Sequence, residues 1–122
     1  MIKRFFQQLF AATRYSLRGI FTALKLERAF IWEVVIFLPF IILATIVNFS
    51  PLEKFALIAP ILLTFSFELM NTAIEKTIDE LGDGKICQAF RFAKDAASGA
   101  VFFMLMMIVL SWVLIALPVF FS

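Results

Sequence analysis

Polar side chains recur along one face of the segment FELMNTAIEKTIDE, residues 67–80, which directly follows a strongly apolar run. At 100° per residue, Glu68, Asn71, Glu75 and Asp79 fall within about 80° of one another, so a helix would present them as one stripe. Carboxylate and amide oxygens suit Mg²⁺, which usually reaches proteins bound to nucleotide phosphates. A separate carboxylate near the membrane can accept a proton from an alcohol. Together with lysine or arginine for phosphate, these are the parts that a phosphoryl transferase needs.

Other unusual polar residues occur at the ends of the remaining apolar stretches. Glu27 and Glu33 lie just before the first stretch, and Lys94, Asp95 and Ser98 begin the third. Ionisable groups at membrane depth are functional candidates by default, and lysine suits phosphate. A Walker phosphate-binding loop is excluded, because GDGK at 82–85 lacks its spacing and the following Ser or Thr.

Structural interpretations of the same residues stay open at this point. Glu68 can be a buried carboxylate paired with Lys94, and Asn71 can join two helices by a hydrogen bond. Glu75 and Asp79 can form a solvated helix face. Trp112 can anchor the chain at the membrane interface, where tryptophan is enriched.

The composition favours an integral membrane protein. Of 122 residues, 63% are hydrophobic, and the mean hydropathy is +1.01, whereas soluble domains are about 45–50% apolar. Histidine is absent, which removes the commonest general base near neutral pH. With a single cysteine, Cys87, no intrachain disulfide can form.

We predict an all-α membrane protein with an amphipathic N-terminal surface helix and three transmembrane helices. The predicted single domain covers 1–122, with the surface helix over 1–28, span one at about 32–50, span two with a cytoplasmic extension at about 54–81, and span three at about 91–121. Basic residues place the N-terminus in the cytoplasm and the C-terminus outside. In LGDGK, 81–85, Gly82 and Gly84 are expected to supply positive φ angles for a turn.

FELMNTAIEKTIDELG, followed by AKDAASGAV, resembles the prokaryotic diacylglycerol kinase family, as do YSLRG, LERAFIWE and SW at similar spacings. The resemblance implies a small homotrimeric enzyme of the bacterial inner membrane. It also implies the reaction ATP + 1,2-diacylglycerol → ADP + phosphatidic acid, with Mg²⁺ as the cofactor. Membrane, ATP and a lipid substrate are the expected partners, and no nucleic acid is expected.

The resemblance also implies a role for each matching residue. Glu68 matches the general base, Asn71 the amide beside it, and Glu27 and Glu75 the two acids that hold the nucleotide-bound metal. The nucleotide contacts it implies are Tyr15, Glu27, Glu75, Lys94 and Asp95. The positions it implies for the lipid substrate are Ser16, Ala29, Glu33, Glu68, Ser98 and Trp112.

The chain departs from the family pattern in two places, and two alternatives follow. The segment after Gly82 has DGKIC, and Ile46 lies about where a tryptophan is familiar. The altered acyl-chain environment leaves undecaprenol open as the lipid alcohol. The second alternative is a non-enzymatic membrane subunit whose acidic stripe binds a divalent metal.

Overall fold

Four α-helices make up the computed structural model, which describes residues 1–121 and contains no β-strand in that range. The helices are α1 (Ile2–Leu26), α2 (Arg28–Ile46), α3 (Pro51–Gly82) and α4 (Gln88–Phe121). By length and composition, α2, α3 and α4 are each suited to cross a membrane. This arrangement confirms the predicted all-helical protein with three spans and an additional N-terminal helix.

A single non-helical residue, Glu27, separates α1 from α2. Its backbone is extended, with φ −100° and ψ 103°, so the chain changes direction there without a loop. As a consequence α2 begins at Arg28, earlier than the predicted span. The short break fixes the carboxylate of Glu27 at the corner between the two helices.

The connection between α2 and α3 is fixed by a capping box. The backbone N–H of Ser50 donates to Glu53 Oε1 over 2.8 Å, and the Glu53 N–H donates to Ser50 Oγ over 3.2 Å. Pro51 occupies the first turn, where its missing N–H costs nothing. Lys54 Nζ donates to the Thr45 carbonyl over 2.9 Å and so satisfies one carbonyl near the end of α2. These bonds hold α2 and α3 together at the end that is predicted to be external.

The turn that follows α3 differs in one residue from the sequence expectation. Gly82 remains the last residue of α3, and the positive φ angles belong to Asp83 (48°) and Gly84 (81°). Aspartate tolerates the left-handed region better than most residues, because its short side chain can hydrogen-bond locally. The Lys85 N–H closes the turn on the Gly82 carbonyl over 2.9 Å.

The central helix is α3, which packs most extensively against α4 and also against α2. At 100° per residue its buried residues lie within about 100° of one another and so form a single inward stripe. They are Leu57, Pro60, Ile61, Thr64, Glu68, Asn71 and Ile78. The stripe is apolar towards the α2–α3 connection and polar towards the α3–α4 connection. Most of α1 is exposed, although Ala23 near its end is buried.

Candidate active site

The polar half of the α3 stripe is buried, like the apolar half. Glu68 is 6% exposed and Asn71 is 7% exposed, whereas Leu57 and Ile61 of the apolar half are 0% exposed. A buried carboxylate costs free energy unless a partner or a function compensates for it. Neither ion pair formed within residues 1–121 includes Glu68. Burial of Glu68 without a cationic partner is the feature that most strongly marks this end of the bundle as a site.

Antiparallel packing of α2 on α3 brings further acids to Glu68. Phe30 of α2 contacts Phe65 of α3 edge to face, with ring centroids 5.9 Å apart. Glu27 precedes Phe30 by three residues and Glu68 follows Phe65 by three, so antiparallel helices place them opposite each other. The carboxylate of Glu27 is close enough to repel that of Glu68.

Glu75 and Glu33 complete this group, which we call the acid cluster: Glu27, Glu33, Glu68 and Glu75. Glu75 lies two turns beyond Glu68 on α3, and its carboxylate also repels that of Glu68. Glu33 comes from α2, and its carboxylate is also close enough to Glu68 for the two to repel each other. Asn71 lies between Glu68 and Glu75 along α3, and its Nδ2 donates to Glu75 Oε1 over 3.2 Å. The structure thus brings five of the predicted site residues together.

Two acceptor atoms of this region are buried without a donor among residues 1–121. They are Glu33 Oε2 and Asn71 Oδ1. Buried polar atoms in proteins almost always have a hydrogen-bond partner. Both atoms are therefore suited to accept a hydrogen bond from a hydroxyl group that enters the cluster.

An open cleft of about 710 Å³ lies beside the acid cluster, between α1 and α3. This volume is within the range of ligand pockets. Tyr15 and Ser16 of α1 line one wall, Thr72 and Ala73 of α3 line the other, and Glu27 lies at the corner. Glu27 consequently belongs both to the cleft and to the acid cluster. Of the predicted nucleotide contacts, the structure brings Tyr15 and Glu27 to one cleft.

Two lysines of this region form ion pairs. Lys76 Nζ lies 3.2 Å from Glu27 Oε1 and so ties the α1–α2 corner to α3. Lys94 of α4 contacts Asp79 Oδ1 at 3.0 Å. The alternative pairing of Lys94 with Glu68 is therefore wrong, because Lys94 reaches the more exposed acid farther along α3. Lys76 was missed by the sequence analysis, although its place directly after Glu75 could have indicated it.

The structure does not bring the remaining predicted residues into the acid cluster. Ala29, Asp95 and Ser98 are exposed on the surface of the chain. Trp112 lies 14 residues beyond Ser98 on α4, which is about 21 Å at 1.5 Å per residue. Its indole Nε1 donates to the Leu57 carbonyl over 3.3 Å at the apolar end of the stripe. The lipid-binding roles of Ala29, Ser98 and Trp112 and the nucleotide-binding role of Asp95 stay predictions.

The carboxylates of the acid cluster suit a metal ion that is also bound by nucleotide phosphates better than a metal ion that is bound by protein side chains alone. Among residues 1–121, no three His, Cys, Asp or Glu side chains form a group that could hold a metal ion. Mg²⁺ in nucleotide sites usually takes only one or two carboxylates, with waters and phosphate oxygens as its other ligands. Glu75 and Glu27, whose carboxylates both lie near that of Glu68, are two such carboxylates.

Three membrane-type helices with an acidic site at one end define a small polytopic membrane protein. The family model described as prokaryotic diacylglycerol kinase matches residues 14–116. The chain therefore belongs to the prokaryotic diacylglycerol kinase family and is an enzyme, a lipid kinase. The family resemblance noted in the sequence is confirmed, and the non-enzymatic alternative is wrong.

Individual relatives agree with this membership. A Haemophilus influenzae diacylglycerol kinase is 33% identical over 104 residues, which cover 85% of this chain and 87% of the relative. A diacylglycerol kinase from Pseudomonas aeruginosa is 34% identical over 111 residues, covering 91% and 89%. An undecaprenol kinase from Bacillus subtilis is 36% identical over 100 residues, covering 82% and 77%. Relatives that act on two different lipid alcohols thus resemble this chain.

Proposed function

We propose that this enzyme transfers the γ-phosphoryl group of ATP to 1,2-diacylglycerol at the cytoplasmic surface of the bacterial inner membrane. The observation that carries the proposal is the buried carboxylate of Glu68, which lacks a cationic partner among residues 1–121. A diacylglycerol hydroxyl stays near the membrane surface, and a base that serves it must lie at that depth. The products are ADP and phosphatidic acid.

Glu68 is the general base of the proposed reaction. Its carboxylate accepts the hydroxyl proton while the hydroxyl oxygen bonds to the γ-phosphorus and the bond from phosphorus to the bridging oxygen breaks. As the hydroxyl enters, it can donate its single proton to Glu33 Oε2 or to Asn71 Oδ1, both buried acceptors, before it donates that proton to Glu68. Asn71 also holds Glu75 in place through its 3.2 Å hydrogen bond. Orientation of this kind can supply a large part of a rate enhancement.

The cleft between α1 and α3 is the proposed nucleotide site. Tyr15 lines it, and Glu27 lies where the cleft meets the acid cluster. Glu27 and Glu75 would hold a nucleotide-bound Mg²⁺ ion, whose chemistry is to neutralise charge that develops on the phosphates. Lys94 and Asp95, in the first turns of α4, are the other proposed nucleotide contacts.

The proposed orientation follows from the distribution of basic residues. The N-terminal helix α1 is strongly basic, and the region around the α3–α4 connection, residues 76–94, carries Lys76, Lys85, Arg91 and Lys94, which favours the cytoplasm for both. The acid cluster lies at that end of the bundle. Mg-ATP would therefore reach the site directly from the cytoplasm.

A homotrimer is the proposed assembly. Most of each candidate span faces away from the chain's own core. In the apolar stretches of α2, α3 and α4, only 11%, 33% and 17% of the residues are buried. Ser98 and Asp95 are exposed in the single chain, and a neighbouring copy would enclose them beside the site. Chemical crosslinking of the purified protein in detergent should yield a trimer as its largest abundant product.

The proposed function is tested by incubating purified protein with radiolabelled ATP, Mg²⁺ and a short-chain diacylglycerol. We expect label to appear in phosphatidic acid. Protein that is correctly folded and inserted but transfers no label to diacylglycerol would contradict the proposal.

Undecaprenol is the second candidate substrate, because the Bacillus subtilis relative is an undecaprenol kinase. Ile46 at the external end of α2 is 73% exposed, so it faces the region that an acyl or prenyl chain would occupy. Competition between the two lipids in the same assay separates the candidates. A higher kcat/KM for undecaprenol than for diacylglycerol would identify undecaprenol as the preferred substrate.

A further inference from the structure

Lys76 places a positive charge where the nucleotide cleft meets the acid cluster. It is carried by α3 directly after Glu75, one turn beyond the cleft residue Thr72. Its Nζ lies 3.2 Å from Glu27 Oε1. The side chain of Lys76 is 68% exposed, whereas that of Glu27 is 24% exposed. The ammonium group thus covers the Glu27 carboxylate from the solvent side.

An ammonium group and a metal ion cannot both occupy this side of the Glu27 carboxylate. Mg²⁺ coordinates carboxylate oxygens at about 2.0–2.1 Å, and a cation at the Nζ position would then face it at close range. Exposed ion pairs contribute only modestly to stability. The flexible four-carbon stem of lysine allows the ammonium group to move away. A divalent ion can therefore displace Lys76 from Glu27.

We propose that Lys76 is a positioning residue that competes with the divalent metal for Glu27. This inference rests on the proposed metal-binding role of Glu27. With no nucleotide in the cleft, Lys76 neutralises one member of the acid cluster and holds the α1–α2 corner against α3. When the metal nucleotide enters, Lys76 leaves Glu27. The lysine thereby lowers the affinity of the site for the metal and moderates the repulsion within the acid cluster.

A metal titration that does not depend on turnover tests the inference. Mn²⁺ binding is followed by electron paramagnetic resonance on the trimeric enzyme with a non-hydrolysable ATP analogue. We expect Lys76→Gln to lower the Kd for Mn²⁺ by about two- to fivefold, as expected from the small energy of an exposed ion pair. Lys76→Arg keeps the ion pair and should restore the wild-type Kd. An unchanged Kd in Lys76→Gln would overturn the inference. A higher Kd would also overturn it and would favour a direct contact of Lys76 with phosphate.

Two further variants make the result specific. Lys85→Gln removes the same charge from the exposed turn after α3, where Lys85 forms no ion pair within residues 1–121, and should leave the Kd unchanged. If Lys85→Gln lowers the Kd as much as Lys76→Gln, general electrostatics explains the effect and the inference fails. Glu27→Gln separates the inference from the proposed function. If it weakens Mn²⁺ binding while Lys76→Gln has no effect, only the role of Lys76 is wrong; if it has no effect, the metal assignment of Glu27 is wrong as well.

Discussion

The two halves of the inward stripe of α3 are both buried but differ in chemistry. In the half near the α2–α3 connection, Leu57 and Ile61 are fully buried, and Leu57 packs with apolar neighbours such as Ala44 and Ala116. In the other half, Glu68 and Asn71 occupy the equivalent inward positions. The same helical spacing therefore serves packing at one end of the bundle and brings polar groups together at the other.

This difference indicates how a small membrane enzyme can combine stability with a polar site. The apolar half fixes the relative positions of α2, α3 and α4, aided by the Trp112 indole on the Leu57 carbonyl. The polar half can then keep groups that repel one another, because the apolar half, rather than their own contacts, holds the helices together. We expect substitutions in the polar half to reduce activity more than stability, and substitutions in the apolar half to do the reverse.

Substitution of the proposed base should have the largest effect on activity. Glu68→Gln keeps nearly the same volume but cannot accept the hydroxyl proton, so we expect kcat to fall by about 10²–10⁴-fold. Insertion, assembly and nucleotide binding should stay unchanged. The control is Glu80→Gln, an exposed acid on the same helix, which should keep wild-type activity. Near-normal turnover in Glu68→Gln would rule out Glu68 as the base.

Removal of the N-terminal part of α1 should have the next largest effect. Deletion of residues 1–20 removes Tyr15 and Ser16, which form one wall of the cleft. We expect activity per inserted protein to fall by about tenfold or more, because loss of positioning groups is costly even far from the reacting atoms. Deletion of residues 1–10 keeps that wall and should have a much smaller effect. Full activity in the longer deletion would show that α1 only anchors the chain.

Loss of either proposed metal ligand should weaken metal binding. We expect Glu27→Gln and Glu75→Gln each to raise the metal concentration for half-maximal activity by about tenfold or more, since even groups behind metal ligands typically contribute that much. Titrations with Mg²⁺ and Mn²⁺ at saturating ATP measure this change. Metal titrations that match the wild type in both variants would contradict the assignment.

A substitution in the apolar half should have the smallest effect on activity. Leu57→Ala removes packing from a fully buried position, and we expect the free energy of unfolding to fall by about 2 kcal/mol. Turnover per folded enzyme should stay close to that of the wild type. Leu62→Ala on the exposed face of α3 is the matched control and should change neither quantity. A selective loss of kcat in Leu57→Ala would break the division between the two halves.

Spacing within one helix made much of the site predictable from sequence. The positions of Glu68, Asn71 and Glu75 follow from helical periodicity, and three long apolar runs predict the spans. Contacts between helices were harder to predict from the sequence. The break at Glu27 lies in LERAF, which has neither Gly nor Pro to mark it. The Glu27–Lys76 and Lys94–Asp79 pairs depend on how α1, α3 and α4 pack, which local spacing does not specify.

The most direct test of the account is the location of the bound metal along α3. Mn²⁺ and a non-hydrolysable ATP analogue are added to enzyme with isotope-labelled Ile and Leu methyl groups, and Mg²⁺ provides the diamagnetic reference. We predict strong paramagnetic broadening at Ile74 and Ile78 in the polar half of α3, with sharp signals at Leu57 and Ile61 in the apolar half. Broadening that is strongest at Leu57, or that is equal in both halves, would contradict the placement of the active site at the acid cluster.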